Sequence, residues 1–337
     1  MEWVLASPYM KSEKNMDGSL WKRTECLGDI EFNLVKARYD HNRSRSRSSL
    51  TCWYDYWLHA NEAWDLAVHN NSGIITCFPQ LPAIAGLRKR ISGSSIPIVA
   101  WTFNLGVAPE GVKKSISKFA LERVDKIIVH STYEKHFYAK HFSLPEKRFE
   151  FVPLHRNKIV RSVKEDKDKP FLLSMGTANR DYSVLFKAVE RLGYPLVVVA
   201  SAASLRDLAI PSNVKVLSNL SLNECRTLCQ QAKINIVPVD NVMTASGQVT
   251  IVEAMMFGAT IIATDTIGSR DYLSNEITGL LIKNKSVEEL ESAIKHLWEN
   301  EEVRERLSTN ASNYAHNFLT QEKASEMLRK VLVSTCN

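Results

Sequence analysis

Ser246 to Asp271 reads SGQVTIVEAMMFGATIIATDTIGSRD. Small and polar residues, Ser246-Gly247-Gln248, open a helix there, and the apolar set Val249, Val252, Met255 and Met256 gives it a stripe. Phe257-Gly258 closes it, with Gly258 suited to a left-handed C-terminal cap. Thr260 to Thr264 (TIIAT) is the short β-branched run of a buried parallel strand. Asp265 to Asp271 then falls at that strand's C-terminal end, where open α/β sheets bind ligands.

This stretch favours an anion. A helix N-terminus carries unsatisfied N–H donors and about half a positive charge, so a diphosphate fits at Ser246, Gly247 and Gln248. Glu253 is the one charge in the helix. A carboxylate so placed repels phosphate but accepts hydrogen bonds from paired sugar hydroxyls, which makes it a candidate ribose reader. The blander reading is a buried glutamate satisfied by its surroundings; carboxylates are rarely buried without a partner.

Outward from this stretch, strands alternate with helices along all 337 residues, which implies an α/β protein with parallel sheets. Two domains are expected: residues 1–155, Rossmann-like and acceptor-binding, and residues 170–318, binding a sugar nucleotide. A charged stretch at 156–169 (RNKIVRSVKEDKDK) reads as the linker between them. A terminal helix within 319–337 is expected to cross back to the first domain. Ser131 with Glu134, and Ser286 with Glu289, read as capping boxes.

Composition excludes several classes. Apolar residues make up 45% and charged ones 24%, ordinary for a globular protein. No run approaches the roughly 18 apolar residues of a membrane span, and MEWVLASPYM lacks the basic lead and apolar core of a signal peptide. Cys225 and Cys229 lie one helical turn apart without further ligands, so no metal site is expected and the thiols read as reduced. The expected location is the cytoplasm.

The net charge is +6 and uneven. Arg43, Arg45 and Arg47 cluster among serines, and Arg88-Lys89-Arg90 form a second basic spot. Peripheral contact with an anionic membrane surface, on its inner face, is one expectation. Nucleic acid is not an expected partner, because aromatic interleaving and a groove-reading helix are missing. Trp53, Tyr54, Tyr56 and Trp57 offer an aromatic surface for an acceptor, although helical spacing favours core packing for at least half of them.

The second half resembles the GT-B glycosyltransferases, and most closely the retaining family GT4. The likeness rests on MGTANRDYSVLFKAV (175–189), on Ser246 to Asp271, on ITGLLI (277–282), and on VEELESAIKHLW and RERLSTNASNYAHNF near the end. It is weaker over residues 124–153 and reduces to element order before Leu121. It implies two Rossmann-like domains facing across a cleft, with the donor on the second domain and the acceptor on the first. It further implies transfer of a hexosyl group from a UDP- or GDP-linked sugar to a glycan, lipid-carrier or small-molecule hydroxyl, with retention and without a metal.

Residue by residue, the resemblance implies that Gly176 lets the chain pass close to the donor phosphates and that Arg180 contacts the diphosphate. It puts Glu253 at the ribose and Asn219, in VLSNL (216–220), beside the base. Arg180 and Glu253 are thus the candidate catalytic residues. Two departures stand out. The family's first glutamate falls on Ala245, and its first-domain histidine is replaced within CFPQ (77–80). Gln80 and Asn104 (in WTFN) are the remaining polar candidates on the acceptor or sugar side, and both are equally readable as loop caps. The family's glycine-rich first loop is also absent: Pro8 to Gly18 holds a glycine only at its end. A non-catalytic sugar-nucleotide-binding partner protein and a nucleotide-sugar epimerase of the same fold are the alternatives. Gly-x-Gly-x-x-Gly follows neither opening strand, against a dinucleotide dehydrogenase.

Overall fold

Short apolar runs give two six-stranded sheets, and every strand pair in them is parallel. The structure is a computed structural model that describes residues 1–17, 19–41, 49–243 and 245–336, apart from the side chains of 49–51. Gly18 and the basic run Arg43, Arg45 and Arg47 lie outside the described residues. The chain divides into two units: Met1–Pro153 with Gln321–Asn337, and Leu154–Thr320.

In the first unit the strands are β1 Glu2–Ala6, β2 Glu31–Val35, β3 Gly73–Cys77, β4 Ile98–Trp101, β5 Lys126–Val129 and β6 Phe149–Phe151. They lie in the order β2-β1-β3-β4-β5-β6. The helices between them are α1 Thr24–Leu27, α2 Ser49–Asn70, α3 Gln80–Ser92, α4 Gly111–Leu121 and α5 Thr132–Phe142. Side chains alternate across a strand, so each sheet face builds its own core. Val4, Ala6 and Ile74 pack with Tyr56, Trp64 and Phe142 on one side. Trp3, Leu5, Ile75 and Val99 pack on the other side with Trp21, Leu328, Val331 and Leu332. Those last three belong to the final helix, α11 Gln321–Cys336, which therefore completes this unit.

The second unit holds β7 Leu172–Met175, β8 Leu196–Val199, β9 Val214–Leu217, β10 Ile234–Val237, β11 Ile261–Thr264 and β12 Leu280–Ile282, ordered β12-β11-β10-β7-β8-β9. Its helices are α6 Tyr182–Leu192, α7 Leu222–Gln231, α8 Gln248–Met256, α9 Val287–Glu299 and α10 Glu301–Phe318. From β7 the chain runs outward through β8 and β9, then returns to β10 on the other side of β7. The crevice between β7 and β10 is thus the topological switch point, the usual ligand position of such sheets. The same reversal in the first unit falls between β1 and β3.

Several local expectations meet different outcomes. The charged stretch 156–169 is bonded onto the second unit: Ser162 and Val163 donate their amides to Gln230 Oε1 at 2.7 and 3.1 Å, and Asp166 N reaches Gln231 O at 2.9 Å. Ser131 is the N-cap of α5 but makes no side-chain cap bond, and the buried Glu134 accepts from Tyr138 Oη. The Ser286 cap forms, but Glu289 turns its carboxylate to the Lys283 amide. Gly258 does take the left-handed conformation, at φ +60°. Among the described residues no helix is long and apolar enough to cross a membrane.

Candidate functional site

The site is built by two loops at the switch point. The first leaves β7 at Met175 and runs Gly176 to Asp181. Its backbone bridges to the strand beside it: Asp181 N donates to Pro238 O, and Asp240 N donates to Asn179 O. The second, Ala245 to Gly247, leads into α8. Asn179 Nδ2 donates to Ser246 Oγ at 2.9 Å and ties the two loops together.

Gly176 has φ +133°, a conformation L side chains rarely adopt. Arg180 folds back over it. Its Nε donates to Met175 O at 3.1 Å, its Nη1 to Ala178 O at 3.0 Å and its Nη2 to Thr250 Oγ1, in the first turn of α8, at 3.3 Å. Burial pulls the Arg180 pKa below the usual arginine value, with the Tyr182 hydroxyl opposing. Among the described residues no carboxylate pairs with this guanidinium. Asp181, the partner a plain turn would supply, instead caps α6 by accepting from Val184 N at 3.1 Å. A half-buried cation without a carboxylate partner, beside a helix N-terminus, is poised to receive an anion.

Gly247 is the N-cap of α8, at φ +87°. A Cβ there would meet Val237 Cγ1 at 2.8 Å, so the helix start is pressed against the end of β10. Gln248 is buried and Ser246 is half-buried. The first amides of α8 lack intrahelical acceptors, as in any helix. Val249, expected in the apolar stripe, is 49% exposed instead, while Val252, Met255 and Met256 are buried. The outward turn of Val249, with Thr250 and Glu253, lines a recess of about 140 Å³ that Met175, Leu222 and Arg226 also line.

Glu253 sits at the floor of that recess, and its partners are arginines. Arg226 Nε, from α7, donates to its Oε1 at 2.5 Å, and Arg156 Nε lies 3.6 Å from its Oε2. Burial lowers the Arg156 pKa, and Glu253 counters this. Neither arginine is visible as a partner in the sequence: one lies on another helix, the other in the stretch expected as a linker. Asn219 is exposed in the left-handed conformation (φ +56°) after the edge strand β9, and no hydrogen bond joins its side chain to the two site loops.

The first unit's switch point carries its own cluster. Phe78, at φ +80°, sits just after β3, and its ring centroid lies 4.6 Å from that of His41 and 6.3 Å from that of Tyr9. His41 is buried, with Nδ1 2.6 Å from Tyr56 Oη and Nε2 3.3 Å from Tyr9 Oη. Sequence reading missed this group, because Tyr9, His41 and Phe78 follow β1, β2 and β3, Tyr56 comes from α2, and the four share no spacing. Gln80 opens α3 with a buried Oε1 that has no hydrogen-bond partner among the described residues. Asn104 accepts from Gly106 N at 2.7 Å, the loop-cap role. Trp53, Tyr54 and Trp57 are 48%, 63% and 44% exposed, whereas Tyr56 is wholly buried. Among the described residues no group of three or more His, Cys, Asp or Glu side chains could hold a metal ion.

Residues 155–314 match the family described as glycosyl transferases group 1. No curated protein sequence matches the chain. Solved structures do share its fold. A glycosyltransferase from Rickettsia africae aligns with a TM-score of 0.70 at 13% identity, covering 100% of this chain and 98% of that one. Sucrose-phosphate synthase from Thermosynechococcus elongatus gives 0.77 at 14%, covering 99% and 98%. The Anabaena protein HepE, in complex with UDP, gives 0.71 at 12%, covering 99% and 100%. The fold is thus the two-unit fold of these solved glycosyltransferase structures, and the stretch that matches glycosyl transferases group 1 lies within the second unit.

Proposed function

We propose that the protein moves a hexosyl group from a UDP- or GDP-linked sugar to a hydroxyl on a glycan, a lipid carrier or a small molecule, with retention of anomeric configuration. The observation that carries this reading is Arg180: a half-buried guanidinium at the switch point, bonded to the first turn of α8 and without a carboxylate partner among the described residues. A nucleoside diphosphate resting on Ser246 to Gln248 supplies the missing negative charge. HepE in complex with UDP supports a nucleotide-sugar donor.

In the reaction the bond from the anomeric carbon to the diphosphate oxygen breaks, and the diphosphate leaves with the electron pair. The acceptor oxygen bonds to that carbon from the same face, and its proton passes to the departing phosphate oxygen. The residues act on the charge that develops on the leaving group: Arg180 and the α8 amides stabilise it more as it departs. The arginine and these amide donors together take the place of a divalent metal. Glu253 receives ribose hydroxyls at the recess wall while Arg226 and Arg156 fix its carboxylate. The proposed setting is the cytoplasm, with peripheral contact at an anionic membrane surface and a role in polysaccharide assembly.

A second reading is kept because Ala245, a buried methyl, stands where the family's first glutamate is expected. Under it the protein binds a sugar nucleotide without turning it over. Incubating purified protein with a panel of UDP- and GDP-sugars and following nucleoside diphosphate release, with and without candidate acceptors, separates the two. Release above the uncatalysed rate supports transfer; tight binding with no release in any combination overturns it.

A further inference from the structure

We infer that the outer face of α4 docks on an anionic lipid bilayer. The helix reads GVKKSISKFAL and is amphipathic in the inverted sense. Its buried residues are Ala120 and Leu121, and Lys114, Ser117 and Lys118 are half-buried on the same side. Val112, Ile116 and Phe119, spaced i, i+4, i+7 on one stripe, point the other way at 76%, 58% and 49% exposure. Val107, in the loop ahead of the helix, is 82% exposed. A helix that merely covers a sheet turns its apolar stripe inward. An outward stripe this contiguous marks a contact surface.

Charge selects the occupant. No acidic residue occurs between Gly111 and Leu121, and among the described residues neither Lys113, Lys114 nor Lys118 forms an ion pair. The basic spot on α3 behaves differently: Arg88 pairs with Asp65, Lys89 with Asp125 and Arg90 with Glu122, at 2.7 to 2.8 Å. Arg90 also lies over the Phe119 ring, 3.9 Å from its centroid, and Phe119 stays exposed. The three lysines of α4 thus carry positive charge that no carboxylate among the described residues offsets, with Lys113 exposed next to Val112. Next to it a groove of about 560 Å³ between α4 and α5 is lined by Lys114, Tyr133, His136, Phe137, Lys140 and His141. Stacked Tyr133 and Phe137 rings floor it, and Lys140 forms no ion pair among the described residues. Apolar insertion flanked by lysines is the pattern of an interfacial helix on acidic lipid. The aromatic face of α2 fits an acidic surface less well, because Asp55, Glu62 and Asp65 share that helix.

Sedimentation with vesicles of phosphatidylcholine alone, or with about 30% phosphatidylglycerol, tests this without nucleotide or acceptor, so its failure leaves the transferase reading untouched. The wild type should bind the acidic vesicles at least about tenfold more tightly than neutral ones and release them as salt rises. The double variant Ile116→Glu, Phe119→Glu, altered only at exposed positions, should lose about tenfold or more with an unchanged melting temperature. Equal binding by wild type and variant overturns the inference. So does an absence of binding by the wild type, or self-association of the wild type in lipid-free buffer that the variant abolishes, which would make a second copy the occupant.

Discussion

The guanidinium of Arg180 lies so close over Gly176 that a Cβ on the glycine would stand 2.6 Å from Nη2. Glycine and arginine are therefore one unit: the bare Cα is the seat that lets the cation face the first turn of α8.

Replacing Gly176 by Ala both strains the backbone, at φ +133°, and displaces the guanidinium. The variant should lose about 1–3 kcal/mol of stability and bind UDP or GDP about tenfold more weakly by calorimetry. Undiminished nucleotide affinity would detach the pair from the donor site.

Arg180→Met separates activity from stability. Removing a half-buried cation that has no carboxylate partner among the described residues costs the fold little, so the melting temperature should hold within a few degrees. Donor turnover should fall by about 100-fold or more, the scale for losing one stabilising donor group. A variant that unfolds but shows normal turnover where folded would reverse this assignment.

Glu253→Ala leaves Arg226 and Arg156 without their shared carboxylate. The side chains are partly solvated, so a loss of about 1–3 kcal/mol is expected rather than the full cost of a broken buried pair. Arg226→Ala combined with it should cost less than the sum of the single changes. Donor affinity should drop about tenfold if the carboxylate also holds ribose; an unaltered titration would confine it to the arginine network.

Because Arg180 and the α8 amides are proposed to neutralise the diphosphate, EDTA should leave turnover within about twofold of the untreated protein. A collapse on chelation that magnesium or manganese restores would sink the metal-independent proposal.

Burial pushes the thiols of Cys77 and Cys229 up to about 12, from 9.0. In the unfolded chain each ionises above pH 9, while in the fold each stays protonated. Stability is then intact below pH 9 and falls as pH rises from 9 toward 12, by about 1.4 kcal/mol per unit for each thiol. Melting curves of Cys229→Ala across this range should show a shallower decline than the wild type.

How much of this was legible in the sequence follows the range of each interaction. The turn–helix–strand order of Ser246 to Asp271 comes from local periodicity, and α8, β11 and the Gly258 cap appear within a few residues of expectation. Val249 misled because a helical stripe does not say which edge of it a cavity will claim. The Ser221–Glu224 capping box, which forms in full, went unread, while Ser131–Glu134, which matches the pattern, does not form a cap. The four-residue pattern is the same in both, and in the second Glu134 is buried against Tyr138. The arginines on Glu253 were beyond reach, since Arg226 is 27 residues away and their meeting depends on how α7 packs beside α8.

Because Leu328, Val331 and Leu332 on α11 are core residues of the first unit, that unit is split by the whole of the second. A ribosome making this chain releases Leu154–Thr320 as one uninterrupted piece, free to fold at once. The N-terminal sheet must wait, one face uncovered, until the final helix emerges. Loss of only the last helical turns, by an early stop codon or a trimming protease, would strike the oldest part of the nascent polypeptide and leave the younger one whole.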